Sequence, residues 1–316
     1  MPPSTPSIPA STVADNTFIQ EITSGLLQSA SAISPKFLYD PLGSHLFTAI
    51  TLLPEYYPTN TERHIFEQYK KEIAHAIGSG GVFIDLGAGN CQKAESFFDV
   101  LLPNAYVAID FSAEYLSEAV QGLQGKYPDI AIHAIAMDFT HALSIPNSVP
   151  VTNRTFFYPG SSIGNFIPSE ARRLLTEIKR QAANGGLLIG VDLMKDDSVL
   201  MAAYDDPLKI TAAFNLNILR SVNAIIGSNF NVAQFKHLAE INHQEGRVEL
   251  YLEALEDLTV SWPQQVRAFK KGERIHTEYS HKYTRDSIQR LLTQAGFTQM
   301  QFFTDPKQYF AVIYAQ

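Results

Sequence analysis

The stretch that most constrains the fold is residues 81–110, GVFIDLGAGNCQKAESFFDVLLPNAYVAID. A short apolar run, Val82 to Leu86, has the composition of a buried β-strand, and the glycines at 87 and 89 interrupt it. Apolar residues then recur at helical spacing, and a second apolar run ends in Asp110. Strand, glycine turn, helix, strand and acid predict a doubly wound α/β sheet in which the acid accepts hydrogen bonds from ribose hydroxyls.

The form of the glycine loop separates two classes of cofactor. A dinucleotide enzyme shows GxGxxG, with backbone amides gathered to receive a pyrophosphate. Here the loop reads DLGAGN, and Gln92 occupies the place of the third glycine. The acidic Asp85 before the loop suits a cationic ligand better than a diphosphate. The loop therefore favours S-adenosylmethionine and a methyltransferase; an ordinary βα turn in a nucleotide-free sheet is the alternative.

Composition limits the partners and the compartment. The 316-residue chain has a formal net charge of −8, which argues against nucleic acid as a partner. No apolar run approaches the roughly 18 residues of a membrane span, and the N-terminus lacks a secretory signal. The single cysteine, Cys91, fits a reducing compartment, the cytoplasm, and is expected to be a small semi-buried side chain. The nine histidines show no metal-ligand spacing, so we expect no metal.

Strand and helix patterns alternate as far as about residue 196, lapse, and return near the C-terminus. We therefore predict a Rossmann-like domain from 60–196 plus 283–316, whose last segment completes the parallel sheet. A second, α+β lobe is predicted from 17–59, which begins with an amphipathic helix, plus 197–282. Residues 1–16, rich in proline and serine, are expected to be a disordered lead-in.

Several polar and aromatic residues fall where chain breaks or strand ends bring side chains to a cleft. Tyr39 and Tyr56 lie at breaks between predicted helices, where a phenol can point into a cleft instead of a core. Asn165 follows the fourth strand on a glycine-containing loop and can both donate and accept hydrogen bonds. The pair Asp138-Phe139 ends the third strand, either as an acceptor and stacking face for adenine or as a plain strand terminus.

Several motifs occur in this chain in a fixed order: FLYDPLGSHLFTAITLLPEYYPTNTE, DLGAGNCQK, YPGSSIGNF, VDLMKD, AAYDDPLKITAAFNLNIL and TEYSHKY. Together they resemble the S-adenosylmethionine-dependent histidine Nα-methyltransferases of ergothioneine biosynthesis, from about residue 35 to the C-terminus. The resemblance implies a class I methyltransferase domain with a second, substrate-binding lobe. It also implies threefold methylation of the histidine α-amine to the betaine hercynine, with S-adenosylhomocysteine as the other product.

The same resemblance implies roles for individual residues. Tyr56 and Asn165 are the predicted catalytic residues because they orient the amine. Glu278 and Ser280 match the positions that grip the imidazole. Without the resemblance, the residues alone predict a solvent-facing polar pair on one face of an edge strand. The predicted substrate residues are Tyr39, Phe47, Tyr56, Gly160, Asn165, Tyr204, Glu278 and Ser280. The predicted cofactor residues are Gly87, Ala88, Gly89, Lys93, Asp110, Asp138 and Phe139.

The sequence is also compatible with other functions. A related N-methyltransferase could act on a histidine ring nitrogen or on another free amino acid. A non-catalytic S-adenosylmethionine sensor is opposed by the joint presence of substrate-like and cofactor-like positions. A dehydrogenase is the weakest alternative because the third glycine is missing. The expected partner is a small amino acid, with neither nucleic acid nor membrane, and the expected state is a monomer.

Overall fold

The computed structural model describes residues 12–111, 113–140 and 142–316. Its helices are α1 (Thr12–Leu27), α2 (Pro41–Thr51), α3 (Tyr57–Ile77), α4 (Gln92–Glu95), α5 (Phe98–Leu101), α6 (Ala113–Lys126), α7 (Pro168–Ala182), α8 (Asp197–Tyr204), α9 (Ile210–Ile226) and α10 (Arg285–Gln294). Its strands are β1 (Val82–Leu86), β2 (Ala105–Asp110), β3 (Ala131–Ala136), β4 (Arg154–Tyr158), β5 (Gly186–Asp192), β6 (Phe235–Asn242), β7 (Arg247–Ala254), β8 (Leu258–Trp262), β9 (Gln265–Phe269), β10 (Arg274–His281), β11 (Met300–Thr304) and β12 (Phe310–Ala315).

The described chain divides into two compact units. The first contains the described residues up to Glu55, Ser198–Asn242 and Val248–Glu278. The second contains Tyr56–Asp197, His243–Arg247 and Tyr279–Gln316.

A seven-stranded sheet in the order β11-β12-β5-β4-β1-β2-β3 forms the centre of the second unit. The strands β3, β2, β1, β4 and β5 pair in parallel. The last segment does join this sheet, but the expectation that it continues the parallel pattern is wrong for β12, which is antiparallel to both β5 and β11. The turn between β11 and β12 is too short for the crossover that parallel neighbours require.

Apolar side chains leave both faces of this sheet, as the strand period of two requires. On β1, Val82, Ile84 and Leu86 join the cluster that packs on α7 and α10. Phe83 points to the other face, where α3, α5 and α6 pack. Helices therefore cover both faces, and the predicted doubly wound α/β class is confirmed.

The strand order reverses between β1 and β4, since β2 and β3 lie to one side of β1 and β5 lies beyond β4. The carboxyl ends of two strands meet at such a point, and the loops that follow them enclose a crevice. Gly87 follows β1, and Gly160 follows β4 after Pro159. The topology thus brings the predicted cofactor loop and the predicted substrate loop to one edge of the sheet.

The first unit is built around α9, which contacts α1, α2 and β6. Its strands form a sheet in the order β10-β7-β6 and a separate β8–β9 antiparallel pair. Ile22 and Leu26 of α1 are buried, as the apolar side of the predicted helix requires. This unit therefore mixes helices with strands, as the α+β prediction states.

The unit boundaries at residues 55/56, 197/198 and 278/279 fall within a few residues of those predicted at 59/60, 196/197 and 282/283. The turn at 243–247 belongs to the second unit although it lies inside the predicted lobe. Of the predicted lead-in, residues 1–11 lie outside the described residues. Helix α1 begins at Thr12, five residues before the predicted start, since neither proline nor glycine occurs between Thr12 and Ser24.

Candidate functional site

The glycine loop after β1 is held against the end of β2. Gly87 and Gly89 have φ of 73° and 51°, a conformation that L side chains rarely adopt, and the space where a Cβ would stand is open at both. The amides of Gly87 and Ala88 donate to the carbonyl of Ile109, at 2.9 and 3.0 Å. The amide of Gly89 donates to Oδ2 of Asp110 at 2.9 Å. Four predicted cofactor residues therefore lie together, and an open glycine backbone beside an oriented carboxylate fits a ribose-bearing ligand.

Asp138 and Phe139 follow β3, the neighbour of β2. The amide of Thr140 donates to Asp138 Oδ1 at 3.0 Å, which closes a local turn. The Phe139 ring meets the ring of Tyr158 edge to face, with centroids 5.9 Å apart. The two acids, Asp110 and Asp138, thus follow adjacent parallel strands.

Asp85, the acid before the glycine loop, is buried beneath it. The hydroxyl of Tyr106 donates to Asp85 Oδ2 at 2.8 Å, and Oδ1 has no hydrogen-bond partner among the described residues. Burial raises the pKa of Asp85 to about 7, although the Tyr106 hydroxyl opposes the shift. The carboxyl group is therefore a mixture of charged and neutral forms near neutrality, not the fixed anion that the sequence suggests.

Cys91 ends the loop in the left-handed conformation, with φ of 61°, and is fully buried. Burial raises the pKa of its thiol to about 11. A buried, protonated thiol is a poor nucleophile. The expectation of a packing side chain is correct, but Cys91 is buried more deeply than expected.

Lys93 and Gly160, assigned to cofactor and substrate respectively, share one carboxylate. Lys93 Nζ donates to Glu62 Oε2 at 2.6 Å, and the amide of Gly160 donates to Glu62 Oε1 at 2.7 Å. Glu62 lies on α3 and is only 1% exposed. Sequence reasoning missed Glu62; the signal was its place at the end of the motif PEYYPTNTE, where it looked like an ordinary residue at a helix start.

The loop after β4 is fixed at two points. The hydroxyl oxygen of Ser161 accepts a hydrogen bond from the amide of Asp192 at 2.9 Å. Nδ1 of His281 lies 2.9 Å from the carbonyl of Gly164, so it carries the proton and donates. Asn165 ends the following short 3-10 turn and is half-buried. Both ends of the loop before Asn165 are therefore bonded to strands.

Ser280 belongs to a buried cluster of charged groups. Lys282 Nζ lies 2.7 Å from Ser280 Oγ and 2.8 Å from Asp192 Oδ2. Asp192 also accepts from the Tyr57 hydroxyl at 2.7 Å and from Lys195 at 2.5 Å. Burial opposes the ionisation of Asp192, but the two lysines hold its pKa below the usual value. Burial lowers the pKa of Lys195 to about 8, even though Asp192 opposes the shift.

Tyr56 is the N-cap residue of α3 and has a non-helical backbone, with φ of −83° and ψ of 70°. Its side chain is half-buried. Tyr39 follows a short 3-10 turn and precedes Asp40, the N-cap of α2. Both tyrosines therefore lie at breaks between helices, as predicted.

Tyr39 and Phe47 form an aromatic cluster in the first unit. Their ring centroids lie 5.5 Å apart, and Phe214 of α9 lies 5.5 Å from Tyr39 and 5.8 Å from Phe47. Phe214 was not among the predicted site residues, although its ring contacts two of them.

Two other predicted residues of the first unit are buried. Tyr204, at the end of α8, is 6% exposed, and His237 Nε2 lies 2.9 Å from its carbonyl oxygen. Glu278 on β10 is 9% exposed. Burial excludes the alternative in which Glu278 faces solvent, and the same holds for Ser280 at 5%.

Among residues 12–111, 113–140 and 142–316, no group of His, Cys, Asp and Glu side chains could hold a metal ion. Within these residues, none of the helices has both the length and the apolar character needed to cross a membrane.

Comparison with known proteins identifies the family. The profile of the histidine-specific, SAM-dependent methyltransferases matches residues 18–316. The histidine N-alpha-methyltransferase of Mycolicibacterium smegmatis is 35% identical over 295 residues, which cover 91% of each chain. The protein of the same name from Mycobacterium tuberculosis is 34% identical over 301 residues, 90% of each chain.

A solved structure, a possible exported protein from Bordetella parapertussis, superposes with a TM-score of 0.51 at 12% identity. The match covers 97% of this chain and 96% of that one, and at this identity it speaks for the fold alone. The profile and the two relatives carry the family assignment and confirm the resemblance seen in the motifs. This chain belongs to the family of S-adenosylmethionine-dependent, histidine-specific methyltransferases.

Proposed function

We propose that this protein transfers three methyl groups to the α-amino group of free L-histidine and produces hercynine for ergothioneine biosynthesis. The observation that carries the proposal is the 35% identity, over 91% of the chain, to a protein named histidine N-alpha-methyltransferase. The geometry supports it because the Gly87 loop and the loop from Gly160 to Asn165 share the edge of the sheet where the strand order reverses.

We assign the cofactor to the glycine loop and its neighbours. Asp110 would accept hydrogen bonds from the ribose, and Asp138 and Phe139 would contact the adenine. Lys93 would pair with the carboxylate of the methionine part. The complete set is Gly87, Ala88, Gly89, Lys93, Asp110, Asp138 and Phe139. S-adenosylmethionine supplies a methyl group on a positive sulfonium.

The amine must lose its proton before each transfer because an ammonium has no lone pair. We assign Tyr56 and Asn165 to hold the amine with its lone pair in line for attack, and we assign Gly160 and Tyr204 to the substrate as well. Positioning of this kind lowers a barrier by about 7–11 kcal/mol. A tyrosine oxygen or water receives the proton. Phe47, beside Tyr39, would stabilise the growing positive charge by about 0.5–2 kcal/mol.

The imidazole is assigned to Glu278 and Ser280, with Tyr39 nearby. A lysine ammonium can only donate, so Lys282 donates to Ser280 Oγ. The hydroxyl proton of Ser280 must therefore point away from Lys282. That proton suits the unprotonated nitrogen of a neutral imidazole, and a Glu278 carboxylate suits the N–H. This pairing favours histidine over an amino acid whose ring lacks the second nitrogen.

The decisive experiment is incubation with S-adenosylmethionine and L-histidine, followed by mass spectrometry. We expect species with one, two and three added methyl groups, and NMR of the final product should place all three on the α-nitrogen. Methylation of a ring nitrogen, or preference for tryptophan or tyrosine in competition, would replace this proposal with the related N-methyltransferase. Calorimetric cofactor binding without turnover of any amine would support a sensor instead.

We also propose that the enzyme works as a cytoplasmic monomer without nucleic-acid or membrane partners. The net charge of −8 supports the absence of a nucleic-acid partner, and the single cysteine supports a reducing compartment. Light scattering during gel filtration should give the mass of one chain, 35.1 kDa. A mass of twice that value would show a dimer.

A further inference from the structure

Glu62 is a buried carboxylate with both oxygens engaged by groups on different segments. Oε2 accepts from the Lys93 ammonium at 2.6 Å, and Oε1 accepts from the Gly160 amide at 2.7 Å. Glu62 itself is 1% exposed, whereas the Lys93 side chain is 42% exposed. Burying a carboxylate costs free energy unless such partners replace its lost hydration.

One glycine leaves space for this carboxylate, and a second donates a hydrogen bond to it. A Cβ on Gly190, in the middle of β5, would stand 2.1 Å from Glu62 Oε1, so any larger residue there would collide with it. Gly160 has φ of 76°, and this conformation presents its amide to the same oxygen. The space around Glu62 therefore suits a side chain that extends from α3 to the residues just after β4.

We propose that Glu62 is a positioning residue that fixes the cofactor lysine and the substrate loop relative to each other through one carboxylate. The inference rests on the proposed function, which assigns Lys93 to the cofactor and Gly160 to the substrate. It goes further because it assigns a role to a third residue, Glu62, which bonds to both of those positions. The chemistry requires a carboxylate since the Lys93 ammonium and the Gly160 N–H are both donors only.

The requirement for two acceptors leads to a specific expectation for Glu62→Gln. A glutamine offers one acceptor oxygen and one donor amide, so it can satisfy only one of the two partners. The Gly160 amide belongs to a loop bonded to β5 through Ser161, whereas Lys93 can turn into water. The glutamine oxygen should therefore stay on Gly160, and Lys93 should lose its anchor.

We expect Glu62→Gln to raise the Kd of S-adenosylhomocysteine about tenfold, the effect of one lost hydrogen bond to a charged group. The KM for histidine at saturating cofactor should change less than about twofold. Glu62→Asp keeps the charge but is one methylene too short to reach both partners, and it should also weaken cofactor binding. Glu67→Gln is the matched control, because Glu67 lies on the same helix with a 64% exposed side chain.

Isothermal titration with S-adenosylhomocysteine measures the effect without any amino acid, so it tests Glu62 even if histidine proves not to be the substrate. In a double-mutant cycle, Glu62→Gln added to Lys93→Met should weaken cofactor binding no further than Lys93→Met alone. Unchanged cofactor affinity in both Glu62 variants, or additive losses in the cycle, would overturn the proposal. If Glu62→Gln does not fold, Glu62→Asp in the same cycle gives the decision.

Discussion

At the scale of single residues, the fold changes the chemistry of Asp85 more than its position in the motif suggests. Its carboxyl group is 1% exposed, and burial raises its pKa to about 7. The folded protein therefore binds a proton here that the unfolded chain releases above about pH 4. Stability from this group is greatest at low pH and is lost as pH rises from about 4 to 7.

Asp85→Asn should remove this pH dependence. The free energy of unfolding of the wild type, relative to that of the variant, should fall by about 1 kcal/mol per pH unit on average between pH 5 and 7. Urea unfolding at several pH values measures the difference. Asp99→Asn, at a site with a 68% exposed side chain, controls for the loss of one carboxyl group. A profile for Asp85→Asn parallel to that of the wild type would show that Asp85 is ionised throughout.

Asn165→Ala should weaken the binding of histidine by roughly 1–3 kcal/mol, because a polar group of the bound histidine loses its hydrogen-bond partner. Cofactor affinity should stay the same because the glycine loop is untouched. Titration calorimetry with S-adenosylhomocysteine gives the cofactor affinity, and titration with histidine in the presence of S-adenosylhomocysteine gives the histidine affinity. Asn60→Ala, which loses only an exposed contact with Arg63, serves as the control. Equal histidine affinity in both variants would remove Asn165 from the site.

Ser280→Ala and Glu278→Ala should each reduce histidine affinity far more than cofactor affinity. Each removes one of the two groups assigned to the imidazole nitrogens. Histidine KM and the Kd of S-adenosylhomocysteine, measured side by side, separate the two effects. Wild-type histidine kinetics in both variants would remove the imidazole assignment.

At the scale of elements, the end of β5 joins segments that are far apart in sequence. Asp192 is bonded to Tyr57 at the start of α3, 135 residues away, and to Lys282 just after β10. The sequence predicted these elements, but no local pattern indicated that their ends carry one buried ionic cluster. The sequence also predicted the wrong direction for β12, which is antiparallel to its neighbours.

Asp192→Asn should destabilise the protein by about 3–5 kcal/mol, because it leaves Lys195 and Lys282 buried without their shared carboxylate. Urea unfolding at pH 7 measures the loss. The control is Asp197→Asn, whose exposed pairing with His243 should be worth less than about 1 kcal/mol. A loss as small as in the control would mean that the two lysines do not depend on the Asp192 carboxylate for their stability in the folded protein.

At the scale of the whole molecule, the residues assigned to the cofactor all belong to the second unit. A ligand that binds only the folded state at about 100 times its Kd adds about 2.7 kcal/mol of stability. Hydrogen exchange with S-adenosylhomocysteine should therefore slow in peptides covering 82–92 and 105–111. Peptides of the β8–β9 pair, in the first unit, should exchange as before. Protection only in the first unit would contradict the cofactor assignment.

The sequence by itself determined the fold class, the family and the class of cofactor, and it predicted the residues of the candidate site. These depend on signals that are local in the chain: apolar periodicity, a glycine turn, and motifs in which each residue has its place. Only the tertiary structure decided the partners of Glu62, which bonds to a residue 98 positions away, the ionic cluster around Asp192, and the protonation of Asp85. Such features depend on burial and on contacts between distant segments, and neither is encoded in any short stretch of sequence.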